Sequence, residues 1–389
     1  MSEGRIAILN IGLDRDLLAR DRQSEAQRRQ SIYADGIPAS IVHLVKAPAG
    51  ASHEAISCGE QVRVMPCPVS HWALFPFAAM QLAARELRNA RFDMVQVQEP
   101  YLCGLVGAML ALRFRLPLVV GVFSDEVDNP VWLAERRLNR VANAVAKWVL
   151  RRAAAIRVDS RAVVERLARS GYRNLTYVPF LITNADRLSA PSPETAAVRA
   201  RLLGSRAGPL AVAVSRLEAE KNVSLMLQAV GAAAKVHPGL VLAVVGEGRQ
   251  AAELAAEAEQ VAPGRVRWLG RIENSELPAY YQAADVTLLS SNRESAARVL
   301  SESLLAGTPV LTTDTAGARE MIEDGISGRI VPVGDVQAFA DALVAMCRDR
   351  GRLGQMGQAG RARMANSVTA DAVVRQLRQL YAHALGRAV

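Results

Sequence analysis

The chain has 389 residues, half of them hydrophobic and 22% charged, with 47 Lys and Arg against 38 Asp and Glu for a net charge of +9. This balance excludes a disordered chain, and the length suggests two domains of ordinary size. Mean hydropathy is +0.10 and no uncharged apolar run approaches the ~18 residues that would cross a bilayer.

In chain order, Arg5–Asn10, Ala39–Val45, Met94–Gln98, Pro117–Phe123, Ala155–Val158 and Leu175–Val178 read as buried strands. Helical periodicity lies between them, as over Asp21–Asp35 and Phe75–Asn89. Strand–helix alternation predicts a parallel sheet covered on both faces. A Pro/Ser stretch, Leu188–Glu194, reads as a linker, after which the rhythm restarts. Leu210–Val214, Gly239–Val245, Val266–Leu269, Val286–Leu289, Pro309–Thr312 and Arg329–Val331 are predicted strands; Asn222–Val236 and Gln250–Gln260 are predicted helices. The expected fold is α/β, two Rossmann-like doubly wound domains facing each other across a cleft, over 1–190 and 191–367. A final helix over 368–389, with Val373, Val374, Leu377, Leu380 and Tyr381 on one face, is expected to pack back on the first domain.

Four cysteines, Cys58, Cys67, Cys103 and Cys347, form no Cys-x-x-Cys pair, so neither a zinc site nor a disulfide framework is expected. The opening MSEGRIAILN holds too short an apolar stretch for a secretory signal. A cytoplasmic setting fits both observations. The charge excess is uneven: residues 1–190 carry 25 Lys and Arg against 18 Asp and Glu, which draws the first half toward anionic surfaces. Aromatics make up only 5% of the chain and interleave with no basic ribbon, so nucleic acid is not an expected partner. Within that half, Glu135–Arg152 is a basic amphipathic pattern with Leu138, Val141, Val145, Trp148 and Val149 as its apolar stripe. It suits either a surface helix packed on the sheet or one that also meets an anionic membrane.

Three clusters in the second half could carry chemistry. A predicted strand runs into a loop with Glu294, then a helix is expected from about Ser295 with Glu302 two turns inside it. The unpaired N–H groups at such a helix start suit phosphate. Two carboxylates that far apart could grip hydroxyls at two ends of an extended ligand; equally, Glu294 could complement the helix dipole and Glu302 be a solvated surface acid. Arg216 and Lys221 bracket a turn after the strand Leu210–Val214, where they could hold an anion or simply pair with Glu218 and Glu220. Gly246-Glu-Gly248 is a Gly-rich turn, but Ala251 fills the last position of the dinucleotide fingerprint, which disfavours a nicotinamide-dependent dehydrogenase.

Taken together, SRLEAEKN, VVGEGR, VRWLGRIENSELPAYYQAADVTLLSS, the Glu-x7-Glu segment, LLAGTPVLTTDTAG and MIEDGISGRIVPVGD resemble retaining glycosyltransferases of family 4, the glycosyl transferases group 1. The matching order and spacing run from Val212 to Asp335. The resemblance implies the GT-B fold and a retaining hexosyltransferase that moves a sugar from a nucleotide diphosphate to a glycan or lipid-linked acceptor, as in cell-surface polysaccharide biosynthesis. It implies that Arg216 and Lys221 bind the diphosphate, Glu294 the transferred sugar and Glu302 the ribose. Gly246, Gly270, Arg271 and Ile272 would frame the base and the adjoining donor groups, and Ala296, Ala297 and Arg298 would meet the phosphates or sugar. No metal and no other cofactor is implied. Gly12, Glu99, Tyr101 and Phe123 are the expected acceptor contacts. Two positions depart from the family pattern: Ala296-Ala297 stands where Phe-Gly is usual, and Phe123 where many members carry a sugar-binding His. Asp125 is the nearest polar substitute and is counted with Glu294, Arg216 and Lys221 as a catalytic candidate. A non-catalytic or partner-dependent sugar-binding subunit and a nucleotide-sugar epimerase remain as alternatives. Peripheral attachment to the inner membrane face would suit a lipid-linked acceptor.

Overall fold

The computed structural model describes residues 5–20, 23–365 and 369–386. Two compact units emerge: the first runs to Thr183 and resumes at Thr369, and the second begins at Asn184.

The first unit is built on an eight-stranded sheet. Its strands are β1 (Ile6–Gly12), β2 (Ala39–Pro48), β3 (Ile56–Ser57), β4 (Val62–Val69), β5 (Met94–Val97), β6 (Leu118–Val122), β7 (Ala155–Val158) and β8 (Leu175–Tyr177). The order across the sheet is β3-β4-β2-β1-β5-β6-β7-β8, parallel except where β3 meets β4. Strands covered on both faces read as near-continuous apolar runs, and β6 and β7 are buried at every position, Arg157 of β7 included. Strand β4 is absent from the sequence expectation because Pro66 and Pro68 argue against a ladder. It exists because β3 pairs only with Arg63 and Val64. Both prolines lie beyond that pairing, on a free edge where no N–H is needed.

The last helix, Ala370–Ala384, closes this unit. Val373, Leu377, Leu380 and Tyr381 are buried with Ile8, Met94, Val119 and Ala155 of the sheet and with Tyr33 and Ala34 of the helix Glu25–Gly36. The Arg378 guanidinium donates to the Gly36 carbonyl at 2.6 Å, and the Tyr381 hydroxyl donates to Gln96 Oε1 at 2.6 Å. Gly36 itself leaves room for Val374: a Cβ there would lie 2.5 Å from that side chain. Val368, the expected first residue of this helix, and residue 367, the expected end of the second domain, lie outside the described residues. So do Asp21 and Arg22 of the expected first helix and the first four residues of the opening segment.

The basic helix over Arg137–Leu150 corrects its expected apolar stripe. It buries Asn143, Ala146, Val149 and Leu150, leaving Leu138 76% and Val141 62% exposed. The polar Asn143 turns inward to hold a loop residue in the left-handed region, Asp128 (φ 55°). Asn143 Oδ1 accepts the Asp128 N–H at 2.9 Å, and Nδ2 donates to Asp128 Oδ1 at 2.9 Å.

The second unit carries a fully parallel sheet: β9 (Leu210–Val214), β10 (Val241–Val245), β11 (Val266–Trp268), β12 (Val286–Leu289), β13 (Val310–Thr313) and β14 (Gly328–Val331), ordered β11-β10-β9-β12-β13-β14. Its core packs Leu242, Val244 and Leu288 with Met226, Val230, Phe339 and Leu343 from flanking helices. The expected linker Leu188–Glu194 is not a free tether. Leu188 is fully buried. The Gln282 side chain donates to the Leu188 and Ala190 carbonyls at 3.0 and 2.7 Å and accepts the Ser192 N–H at 2.8 Å. Its Pro/Ser composition predicts irregular backbone but not that one glutamine elsewhere satisfies it. Among the described residues no helix is long and apolar enough to cross a membrane.

Candidate functional site

Ligands of parallel α/β sheets bind at the carboxyl ends of the strands, and in the second unit the loops at that edge are bonded to one another. After β9, the Ser215 N–H donates to Val245 O at 3.0 Å and Leu217 N–H to Glu247 O at 2.9 Å, joining the β9 and β10 loops. Gly246 N–H donates to Gly270 O at 2.8 Å, joining β10 to β11. Gly246 has φ +139°, and a Cβ there would lie 1.8 Å from Ser215 O; only glycine permits this approach. Arg271 and Ile272 continue the chain from Gly270, with Arg271 exposed.

The β9 loop ends in one tight turn, Ala219–Lys221, followed by Asn222 in the left-handed region. The β12 loop locks onto it: Ser290 Oγ donates to Asn222 O at 2.8 Å, and the Asn292 N–H donates to Glu220 O at 2.8 Å. This clamp presents Lys221 to Glu294. Lys221 Nζ donates to Glu294 Oε1, and Ser291 Oγ donates to the same oxygen at 2.8 Å. Their side chains are only 16% and 13% exposed. Arg216 differs: its guanidinium is 70% exposed and pairs with Glu220 at 2.7 Å. Both cations are therefore paired with acids of their own unit, and Lys221 is half-buried rather than loop-exposed.

The expected helix start near Ser295 is corrected to Arg298, with Ala297 as its extended N-cap. The segment before it is held out of the helix by the Gly317 N–H, which donates to Glu294 O at 3.2 Å. Gly317 packs so closely that a Cβ would lie 2.4 Å from Ser295 O. Ala296 and Ala297 thus precede the helix instead of opening it. Glu302 falls one turn after Arg298. It is 2% exposed, so it is not a solvated surface acid. The Tyr281 hydroxyl donates to its Oε2 at 2.9 Å and Arg298 Nε donates to its Oε1 at 2.6 Å. Burial, and then the adjacent carboxylate, push the Tyr281 hydroxyl well above its usual range.

In the first unit a cavity of about 390 Å³ opens among Leu13, Gln98, Glu99, Tyr101, Phe123 and Glu126. Glu99 accepts the N–H groups of Tyr101 and Cys103 at the start of the helix Leu102–Phe114, a position where negative charge is favoured. Burial nonetheless pushes its carboxyl above the ordinary range. Glu126 Oε2 accepts from the Tyr101 hydroxyl at 3.0 Å and the Ser124 hydroxyl at 3.1 Å. Gly12 ends β1 beside this cavity because a Cβ there would lie 2.1 Å from Gln98 Oε1. The Phe123 ring is 39% exposed and folds over Gly121, with the Arg157 guanidinium 5.2 Å from its centroid. The cavity lining does not include Asp125. That carboxylate is paired with Arg166 and accepts from Asn129 Nδ2 at 3.2 Å.

The structure thus gathers Arg216, Lys221, Gly246, Gly270 and Glu294 on joined loops of the second unit, with Glu302 on the helix that follows. It gathers Glu99, Tyr101 and Phe123 on one cavity of the first. Glu126, Gln98 and Tyr281 are additions that the sequence does not announce. Glu126 adjoins the candidate Asp125 in sequence, whereas Tyr281 carries no signal beyond the apolar face of a helix.

Comparison with known proteins accords with both halves. The family described as "Glycosyl transferases group 1" matches residues 199–363, and the "Glycosyl transferase 4-like domain" matches residues 34–180. The chain is similar to a 2-deoxystreptamine glucosyltransferase of Streptomyces kanamyceticus, 30% identical over 66% of this chain and 67% of that one. It is also similar to glycogen synthase of Mycobacterium tuberculosis, 26% identical over 76% of this chain and 69% of that one. Among solved structures, sucrose-phosphate synthase from Thermosynechococcus elongatus superposes with a TM-score of 0.84 at 22% identity, covering 97% of this chain and 98% of that one. HepE from Anabaena, solved with UDP and glucose, gives 0.75 at 18% identity over 97% and 100%. Paired matches to both halves, a relative at this identity and the shared architecture of two parallel sheets lead to one conclusion: the chain belongs to the glycosyl transferases group 1, family 4, with the GT-B fold.

Proposed function

We propose that this chain is a retaining hexosyltransferase: it moves a sugar from a nucleotide diphosphate to a carbohydrate or lipid-linked glycan acceptor in cell-surface polysaccharide synthesis. The observation that carries this is the Lys221–Glu294 contact on the locked β9 and β12 loops. It supports the reading by joining a cation suited to a diphosphate to a carboxylate suited to sugar hydroxyls. Lys221 and Arg216 stabilise charge developing on the departing diphosphate, the term that most lowers such a barrier. Glu294 accepts hydroxyls of the transferred sugar, and Glu302 those of the ribose. The leaving diphosphate oxygen takes the acceptor's proton as the new glycosidic bond forms on the face the diphosphate leaves. This course needs no protein nucleophile, no metal and no further cofactor.

The acceptor would occupy the cavity of the first unit, with an apolar sugar face on Phe123 and hydroxyls toward Glu126. Relatives named for acting on lipid and envelope acceptors, a phosphatidyl-myo-inositol mannosyltransferase of Mycobacterium leprae and a lipopolysaccharide core glycosyltransferase of Rhizobium meliloti, support that acceptor class. So does the surface of the first unit, where the exposed Val131, Leu138 and Val141 share one stretch of chain with Arg136, Arg137 and Arg140. On this reading the chain attaches peripherally to an anionic inner membrane face from the cytoplasm.

A thermal-shift panel of nucleoside diphosphates and their sugars, followed by product analysis with glycan acceptors, tests the proposal. A ligand at 100 times its dissociation constant stabilises the fold by about 2.7 kcal/mol. Stabilisation by one nucleotide series and an axial (donor-like) linkage in the product are expected. Failure of every nucleotide to stabilise the chain, or donor conversion without an acceptor, overturns it.

A further inference from the structure

Glu302 is a buried carboxylate with a donor on each oxygen, and the two donors differ in kind. Tyr281 is fully buried on the helix Leu277–Ala283. Its backbone is pinned as well, since Thr308 Oγ1 donates to Tyr281 O at 2.6 Å. Thr308 in turn is tied to the Glu302 helix, because its N–H donates to Ser303 O at 2.9 Å. Burial and this backbone tie hold in place the ring that carries the hydroxyl. Arg298 approaches the other oxygen from the solvent side. Its side chain is 30% exposed against 3% for Glu302, and its long stem can swing away.

We propose that Tyr281 is a positioning residue for ribose recognition and that Arg298 is the exchangeable occupant of the ribose-binding oxygen of Glu302. The proposal rests on the assignment of Glu302 to the ribose. Tyr281 anchors Oε2 and so aims Oε1 at one place. Without nucleotide, Arg298 Nε–H fills that place. A ribose hydroxyl displaces it and donates to Oε1 instead. A nucleotide lacking that hydroxyl lets Arg298 return, so Oε1 regains its charged donor. The two residues therefore act in opposite directions on discrimination. Loss of the Tyr281 hydroxyl frees the carboxylate to rotate and blunts selection. Loss of Arg298 removes the charged donor of Oε1 under a deoxy ligand and sharpens it.

The test uses the full chain at pH 8 and calorimetric titration with UDP, ADP and GDP, each beside its 2′-deoxy and 3′-deoxy forms. The quantity read is the affinity ratio of ribo to deoxy ligand for the pair that discriminates most. In Tyr281→Phe this ratio falls about tenfold; in Arg298→Met it rises by a similar factor. A purely structural tyrosine would weaken all the ligands alike and leave the ratio where it was. If Tyr281→Phe does not fold, the rise in Arg298→Met still decides the matter. Unmoved ratios in the variants that fold, with a ratio that collapses in Glu302→Gln, overturn the inference and spare the ribose assignment. A ratio that survives in Glu302→Gln, or no ribo preference in the unaltered chain, overturns both.

Discussion

Near the carboxyl edge of the second sheet, acids are held by cations: Glu294 by Lys221, Glu220 by Arg216, Glu302 by Arg298, and Glu218 by Arg249 at 2.8 Å. In the first unit the cavity acids are held by neutral donors, Glu99 by backbone N–H groups and Glu126 by two hydroxyls. Pairs of opposite charge can be exchanged for an anionic ligand, because each cation released by its acid finds a phosphate. Acids held by neutral groups have no cation to release to a phosphate, and they favour hydroxyls instead. The two units thus differ in what their sites favour: an anion in the second, a hydroxyl-rich ring in the first.

The sharpest way to break this contrast is Lys221→Ala. If Lys221 meets developing charge on the diphosphate, kcat/KM falls on the order of 10²–10³-fold. Arg216→Ala, on an exposed side chain, costs about tenfold and mostly in donor affinity. Equal and small effects in initial-rate assays would remove both from the site. Next, Leu377→Ala in the last helix is expected to destabilise the first unit by about 3 kcal/mol. Nucleotide affinity stays unchanged, because the second unit does not use that helix. Hydrogen exchange resolved by unit checks this; equal loss of protection in both units would contradict it. Third, Asp125→Asn is expected to cost about 1–2 kcal/mol of stability by breaking its bond to Arg166. A turnover loss at full stability would instead return Asp125 to the chemistry.

The last effect is set by pH and is confined to acid. Burial, with Arg29 adding to it, lowers the His43 pKa to about 3, and the ring accepts from Asn10 Nδ2 at 2.7 Å. The unfolded chain then binds a proton between about pH 6.5 and 3 that the folded chain does not. Stability contributed by the neutral imidazole is therefore complete above that window and lost as pH falls through it. His43→Gln is expected to flatten the acid limb of a stability–pH curve for the first unit and leave the second unit's curve alone. Parallel limbs in both proteins would show that His43 titrates normally.

Much of the fold and of the site is legible in the amino-acid sequence. Buried parallel strands announce themselves as apolar runs, and helix Phe75–Asn89 has the bounds its periodicity suggests. The Arg216–Lys221 and Glu294–Glu302 clusters can be named because charged residues at strand ends are conspicuous. What stays hidden depends on distant partners. Strand β4 hides behind two prolines that only an edge tolerates. The start of the helix at Arg298 depends on Gly317, distant in sequence and adjacent in space to the segment that precedes it. Asn143 looks like a polar residue on an apolar helix until Asp128 is placed against it. Tyr281 reads as core, and its hydroxyl matters only because Glu302 is buried beside it.

The return of the chain to its first unit has a consequence during synthesis. The helix Ala370–Ala384 supplies Val373, Leu377, Leu380 and Tyr381 to a core whose other members precede Thr183. At about 5–20 residues per second, the ribosome needs roughly 10–40 s to make the 185 residues of the second unit. Through that interval the apolar flank of Ile8, Met94, Val119 and Ala155 lacks its covering helix. The second unit, continuous in sequence, can fold first. The nascent first unit is then the species with exposed apolar surface, and a chaperone that binds such surface would find its substrate there.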